Sequence, residues 1–130
     1  MTCLETSFLI DLFRGKEKVN KLMDELNKHE EQLTVAAPTI MELWSGALLA
    51  IHSEREKAKI NELLQFTDVL TLDEKSAKIA AEIEYDLEQK GQIIQLEDIQ
   101  IAAIAKAHGE QLITRDEHFA RIPGLRVLKY

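Results

Sequence analysis

Short runs of β-prone apolar residues alternate along this chain with longer segments of helical period. TCL, residues 2–4, predicts a first strand. Thr6 to Arg14 carries Phe8, Leu9, Leu12 and Phe13 on one face and stops at Gly15, which predicts a helix. Glu17 to Lys28 predicts a second, with Val19, Leu22, Met23 and Leu26 inward. QLTVAAP, residues 32–38, reads as strand two. Two helices follow, Thr39 to about His52 and Ser53 to Gln65, the latter capped by Ser53. DVLTL, residues 68–72, reads as strand three, and Asp73 to Lys90 as a long helix closed by Gly91. Leu96 to His108 is an alanine-rich helix closed by Gly109. QLIT, residues 111–114, and LRVLKY, residues 125–130, complete the strands.

Strands separated by helices predict an α/β fold with a mainly parallel sheet covered on both faces. No repeat, low-complexity tract or Gly/Ser linker interrupts residues 1–130, so a single domain is expected. In such sheets the ligand crevice lies at the carboxyl ends of the strands, where strand order reverses. The residues at those ends are acidic. Glu5 follows strand one, Thr39 to Glu42 follow strand two, Asp116 follows strand four, and Asp98 opens the helix leading into strand four.

Composition narrows the function classes. Apolar residues make up 45% of the chain, which suits a folded globular core. Sixteen Lys and Arg against 23 Asp and Glu leave a net charge of −7. That balance argues against coating nucleic acid by bulk charge, but not against gripping a few phosphates locally. Two segments run against the average: residues 11–21, with Arg14, Lys16, Lys18 and Lys21, and residues 114–130, with Arg115, Arg121, Arg126 and Lys129. The single cysteine, Cys3, lies in an apolar run and reads as a buried inert thiol. With no apparent signal peptide and no apolar run long enough to span a bilayer, a cytoplasmic protein with no membrane role is expected.

Each acid has a structural explanation when taken singly. Thr39-x-x-Glu42 reads as a capping box, Asp98 as a first-turn acid favoured by the helix dipole, and Asp116 as a turn or cap residue. Glu5 is the exception, because Thr6 or Ser7 would cap better. Taken together, three or four carboxylates at one crevice repel one another and call for a cation. Oxygen ligands without a paired Cys or His favour Mg²⁺ or Mn²⁺, ions that serve phosphoryl chemistry. Arg14 and Arg115, in the two basic segments, are candidate phosphate contacts. Thr6 and Ser7 are candidates to bond the acidic cluster, and Thr114 to orient Asp116. His118 and Trp44 read more simply as a surface residue and a core or dimer-surface residue.

Four stretches, in order, resemble the motifs of the PIN-domain ribonucleases, close to the VapC toxins of prokaryotic toxin–antitoxin pairs. They are CLETSFLIDLFRG, APTIMELWSGA, GQIIQLEDIQIAAIAKAHG and LITRDEHFARIPGLRV, with acids Glu5, Glu42, Asp98 and Asp116. The resemblance covers nearly the whole chain. It implies a three-layer α/β/α sandwich with strand order 3-2-1-4-5, which places Glu5 beside Asp116. It further implies Mg²⁺- or Mn²⁺-dependent hydrolysis of RNA phosphodiesters, a homodimer and a VapB-like protein antitoxin. In that reading Glu5, Asp98 and Asp116 ligate the metal, and Glu42 ligates it or orients a bound water. The family's first acid is usually Asp, whereas this chain has Glu5. An apolar surface for partners is expected on Thr6 to Lys28, around Phe8, Phe13, Leu22 and Met23.

Two other readings compete. One is a PIN-fold RNA- or antitoxin-binding module in which Glu5 leaves little catalysis. The other is a phosphoacceptor receiver domain, which needs an acid pair after strand one and an acceptor Asp after strand three. Here Glu5 stands alone after strand one.

Overall fold

The computed structural model describes Met1–Tyr130. In chain order the elements are β1 (Thr2–Leu4), α1 (Thr6–Phe13), α2 (Glu17–Lys28), β2 (Leu33–Ala36), α3 (Ala37–Leu49) and α4 (Ser53–Leu64). They continue with β3 (Asp68–Leu70), α5 (Glu74–Gln89), α6 (Leu96–Ala107), β4 (Gln111–Thr114), a 3₁₀ turn (Glu117–Arg121) and β5 (Val127–Lys129). The strands form one sheet in the order β3-β2-β1-β4-β5. Every pairing is parallel, with Leu4 of β1 opposite Ile113 of β4. Strand order reverses between β1 and β4, so the crevice that such a sheet offers a ligand opens where Glu5 and Arg115 leave it.

The central strands are apolar on both faces because helices cover both. Leu4, Val35 and Ile113 point into one core with Phe8 and Leu9 of α1, Val19 of α2, Leu43 of α3 and Ile60 of α4. Cys3, Ala36 and Leu112 point into the other, against Leu87 of α5, Ile101 and Ile104 of α6, and Phe119. This alternation is the strand period of two, with both faces buried. Ala102, Ala103 and Ala105 are fully buried, which lets α6 approach the sheet closely. Burial holds the Cys3 thiol up at about 12, with Glu110 adding to the rise, so it is inert as expected. No helix is long and apolar enough to cross a membrane.

Several local expectations change. Helix α3 begins at Ala37, with Pro38 in its first turn and Ala36 as a cap that makes no side-chain bond, so Thr39 and Glu42 form no capping box. His52 rather than Ser53 precedes α4. The apolar surface expected on α1 and α2 is only partly present, with Leu12 and Phe13 lining a groove beside Phe66. Phe8 is fully buried, with the Tyr130 ring edge-on to it at 5.5 Å, and Phe13, Leu22 and Met23 are half-buried against the same core. The exposed apolar side chains lie elsewhere, with Leu48, Leu49 and Ile51 at the α3–α4 turn and Phe66 after α4. Trp44 is half-buried against the α1–α4 core, with the Lys57 ammonium 5.8 Å from its ring centre.

Candidate metal centre

Glu5 sits at the junction of β1 and α1 because its side chain holds that junction together. It is the N-cap of α1, and its Oε2 accepts from the Ser7 amide at 2.7 Å. Its Oε1 accepts from the Ser7 hydroxyl at 2.8 Å and from the Thr114 hydroxyl at the end of β4. The expectation that Thr6 or Ser7 would cap in its place is therefore reversed. A buried carboxylate is tolerated here because three donors meet it.

The same hydroxyls carry the contact on to the fourth acid. The Asp116 amide donates to Thr114 Oγ1 at 3.0 Å, and the Arg115 amide donates to Ser7 Oγ at 3.3 Å. Asp116 caps the 3₁₀ turn by accepting from the His118 amide at 2.9 Å, and its Oδ1 lies 3.0 Å from His118 Nδ1. Thr6 faces the second acid. Its hydroxyl lies 3.0 Å from Glu42 Oε1 and 3.0 Å from Thr39 Oγ1.

Asp98 is the third residue of α6, in the first turn, with Glu97 beside it. Its carboxyl is pushed up to about 6. Burial is the main cause, followed by the negative charges of Asp116, Glu5 and Glu42, and only His118 opposes. Glu42 is also raised, by desolvation and by the charges of Glu5 and Glu97, against the Thr6 hydrogen bond. No lysine or arginine pairs with Glu5, Glu42 or Asp98. One ligand atom each from Asp98, Asp116 and His118 lies within 4.8 Å of the others, in a cleft of about 320 Å³ that Ile93, Ile94 and Gln95 complete. The donor set, mainly carboxylate oxygen and short of compensating cations, fits a hard divalent ion.

The two arginines differ in engagement. Arg14 is exposed at the C-terminus of α1, beside Glu42 and Gly46 in a neighbouring groove. Arg115 is held instead by Asp11, which accepts from its Nε at 2.8 Å. Asp11 carries no role in the motif reading, yet it is only 1% exposed. The signal was visible: Ser7 and Asp11 are four residues apart on α1 and so share a face. His118 likewise gains a place in the cleft that its position near a turn did not suggest.

Comparison with known proteins agrees with this architecture. The PIN domain model matches residues 2–125. A protein of Salmonella typhimurium named tRNA(fMet)-specific endonuclease VapC is 28% identical, over 92% of this chain and 95% of its own. Ribonuclease VapC3 of Methanocaldococcus jannaschii is 32% identical, over 78% of this chain and 94% of its own. In the solved structure of DNA-bound VapBC from Salmonella typhimurium, one chain superposes with a TM-score of 0.88 at 28% identity, covering 98% of this chain and 96% of that one. Matched almost throughout its length, the chain belongs to the PIN-domain family and is VapC-like within it.

Proposed function

We propose that the chain is a Mg²⁺- or Mn²⁺-dependent endoribonuclease and the toxin of a pair with a VapB-like antitoxin. The observation that carries the reading is the under-compensated acidic cleft: Asp98 surrounded by Asp116, Glu5 and Glu42, with no lysine or arginine paired to it and only His118 opposing. A fold stores such repulsion at functional sites more often than elsewhere. The names of the relatives supply the substrate class, and the VapBC complex supplies the partner class.

Asp98, Asp116 and Glu5 are the residues that would hold the ion, with His118 placed to join them. The ion, when bound, supplies a Lewis acid and a water acidic enough to attack near neutral pH. Glu42 stands at the edge of the cluster, where its raised proton affinity suits it to orient the attacking water and take its proton. Ser7 and Thr114 keep Glu5 in one orientation, so little of it need reorganise as charge develops. Arg14 is the free phosphate contact in this reading, and Arg115 offers a phosphate only the part of its guanidinium that Asp11 does not hold.

Cleavage of a tRNA pool with Mn²⁺, with Mg²⁺ and with EDTA tests it. tRNA is the first probe because the Salmonella relative is named for it. The wild type is expected to cut with Mn²⁺ and to stop with EDTA. Asp98→Asn is expected to lose more than about a hundredfold in rate, beyond what a supporting residue costs, while its metal-free melting temperature stays equal or rises. Equal cleavage by Asp98→Asn, or cleavage that persists in EDTA, overturns the reading.

A further inference from the structure

We propose that Asp11 is a positioning residue that fastens the Thr114–Asp116 segment to α1 by holding the Arg115 side chain. The proposal rests on the nuclease reading above for its consequence, and on the following contacts for its geometry.

Asp11 lies in the last turn of an apolar helix, buried against the core, a poor place for a lone charge. It is met by donors from three separate parts of the chain. Arg115 gives Nε at 2.8 Å and Nη2 at 3.5 Å, the Tyr130 hydroxyl stands at 2.8 Å, and Lys16 Nζ at 3.1 Å. Tyr130 is itself fixed by its ring edge against Phe8. A planar guanidinium held through Nε cannot swing without losing its bond, which makes Arg115 a fixed arm rather than a free surface cation.

Arg115 is therefore attached to α1 at two points, its amide to Ser7 Oγ and its guanidinium to Asp11. It stands between Thr114, which bonds Glu5, and Asp116, which joins Asp98 and His118 in the cleft. One helix thus holds Glu5 at its start and Asp11 near its end, and the segment bearing Asp116 is fastened across it. Loss of Asp11 releases the outer fastening. The segment then keeps the Arg115 amide bond to Ser7, the Asp116 amide bond to Thr114 and the turn bond from the His118 amide, and with the side-chain arm free the spacing between Glu5 and Asp116 loosens.

The test compares wild type, Asp11→Asn, Arg115→Gln, Asp11→Glu and Lys16→Ala by two measurements. The first is amide hydrogen exchange without metal. Arg115 and Asp116 are expected to exchange at least about tenfold faster in Asp11→Asn and Arg115→Gln, with Leu112 and Ile113 unchanged. The second is Mn²⁺ binding by calorimetry, expected to weaken about 10- to 100-fold in the same two variants. Asp11→Glu keeps the charge and restores both in part. Lys16→Ala leaves both as in wild type, because the Lys16 side chain is half exposed and Asp11 keeps its bonds to Arg115 and Tyr130. Arg115→Gln decides the matter alone if Asp11→Asn does not fold. Wild-type exchange at Arg115 and Asp116 in either folded variant overturns the assignment. If wild type binds no Mn²⁺ and cuts no RNA, the nuclease reading fails by itself, while the metal-free exchange still decides whether Asp11 fastens the segment.

Discussion

Asp11 and Asp98 carry the same side chain on helices that pack against opposite faces of the sheet, and local helix electrostatics ranks them wrongly. Asp11 lies in the last turn of α1, where the dipole disfavours an anion, and Asp98 in the first turn of α6, where the dipole favours one. The carboxyl of Asp11 is nevertheless held down at about 2: burial pushes it up, but bonds from Arg115, Tyr130 and Lys16 outweigh burial. That of Asp98 stands at about 6, because burial and three neighbouring acids act together. A helix terminus supplies about 0.3–1 kcal/mol, whereas one pKa unit corresponds to about 1.4 kcal/mol. Partners brought by the fold therefore decide both cases. The fold has completed the surroundings of Asp11 and left those of Asp98 short of a cation.

The largest expected effect follows from removing the completed carboxylate. Asp11→Ala leaves Arg115 and the Tyr130 hydroxyl without their acceptor and should cost about 1.5–3 kcal/mol, the range for hydrogen bonds to a charged group, since the half-exposed Arg115 stays solvated. Urea denaturation without metal measures it. A loss under about 1 kcal/mol would mean that the two aspartates differ less than their surroundings indicate.

Acidification separates the pair next. Asp11 has a folded value below its unfolded one, so its contribution, about 2 kcal/mol, is present above about pH 4 and is lost as pH falls through 2. Asp98 has a folded value above its unfolded one. Its stabilising contribution is present below about pH 4 and is lost as pH rises through 6. Metal-free protein should therefore be more stable near pH 4–5 than at pH 7. Melts across that range should show the loss above pH 5 shrinking in Asp98→Asn, while the loss below pH 4 stays. An unchanged slope above pH 5 in the variant would remove Asp98 as its source.

The smallest effect concerns Glu5, which shares features of both aspartates: saturated with donors, yet adjacent to the acidic cleft. Glu5→Gln removes a helix cap and should cost about 1 kcal/mol, offset in part by relief of repulsion with Asp98. Denaturant midpoints read the difference. A clear gain in stability would place Glu5 with Asp98 rather than with Asp11.

The alternation of strand and helix was legible because each element advertises its own period. All five strands and all six helices fall where the apolar pattern puts them, apart from shifts at their ends such as the start of α3. The 3₁₀ turn at Glu117–Arg121 was not, because five residues are too few to show a period. Three acids of the cleft were legible as residues that follow strand ends, and Asp98 as the acid that opens the helix before strand four. Their roles were less so. Glu5 caps a helix against its ordinary preference, since Thr114 reaches it from 109 positions away. Glu42 forms no capping box because Pro38 starts the helix two residues early.

What the sequence determined by itself is the set of local periods, the parallel α/β class they require, and which carboxylates stand at strand ends. Those follow from backbone geometry, which acts over a few residues. What only the tertiary structure decided is the charge state and duty of each acid. Arg115 meets Asp11 across 104 positions, and Tyr130 meets it across 119. The field at a carboxylate is summed over neighbours in space, so whether an aspartate is a finished contact or a waiting ligand is settled only when the chain has closed around it.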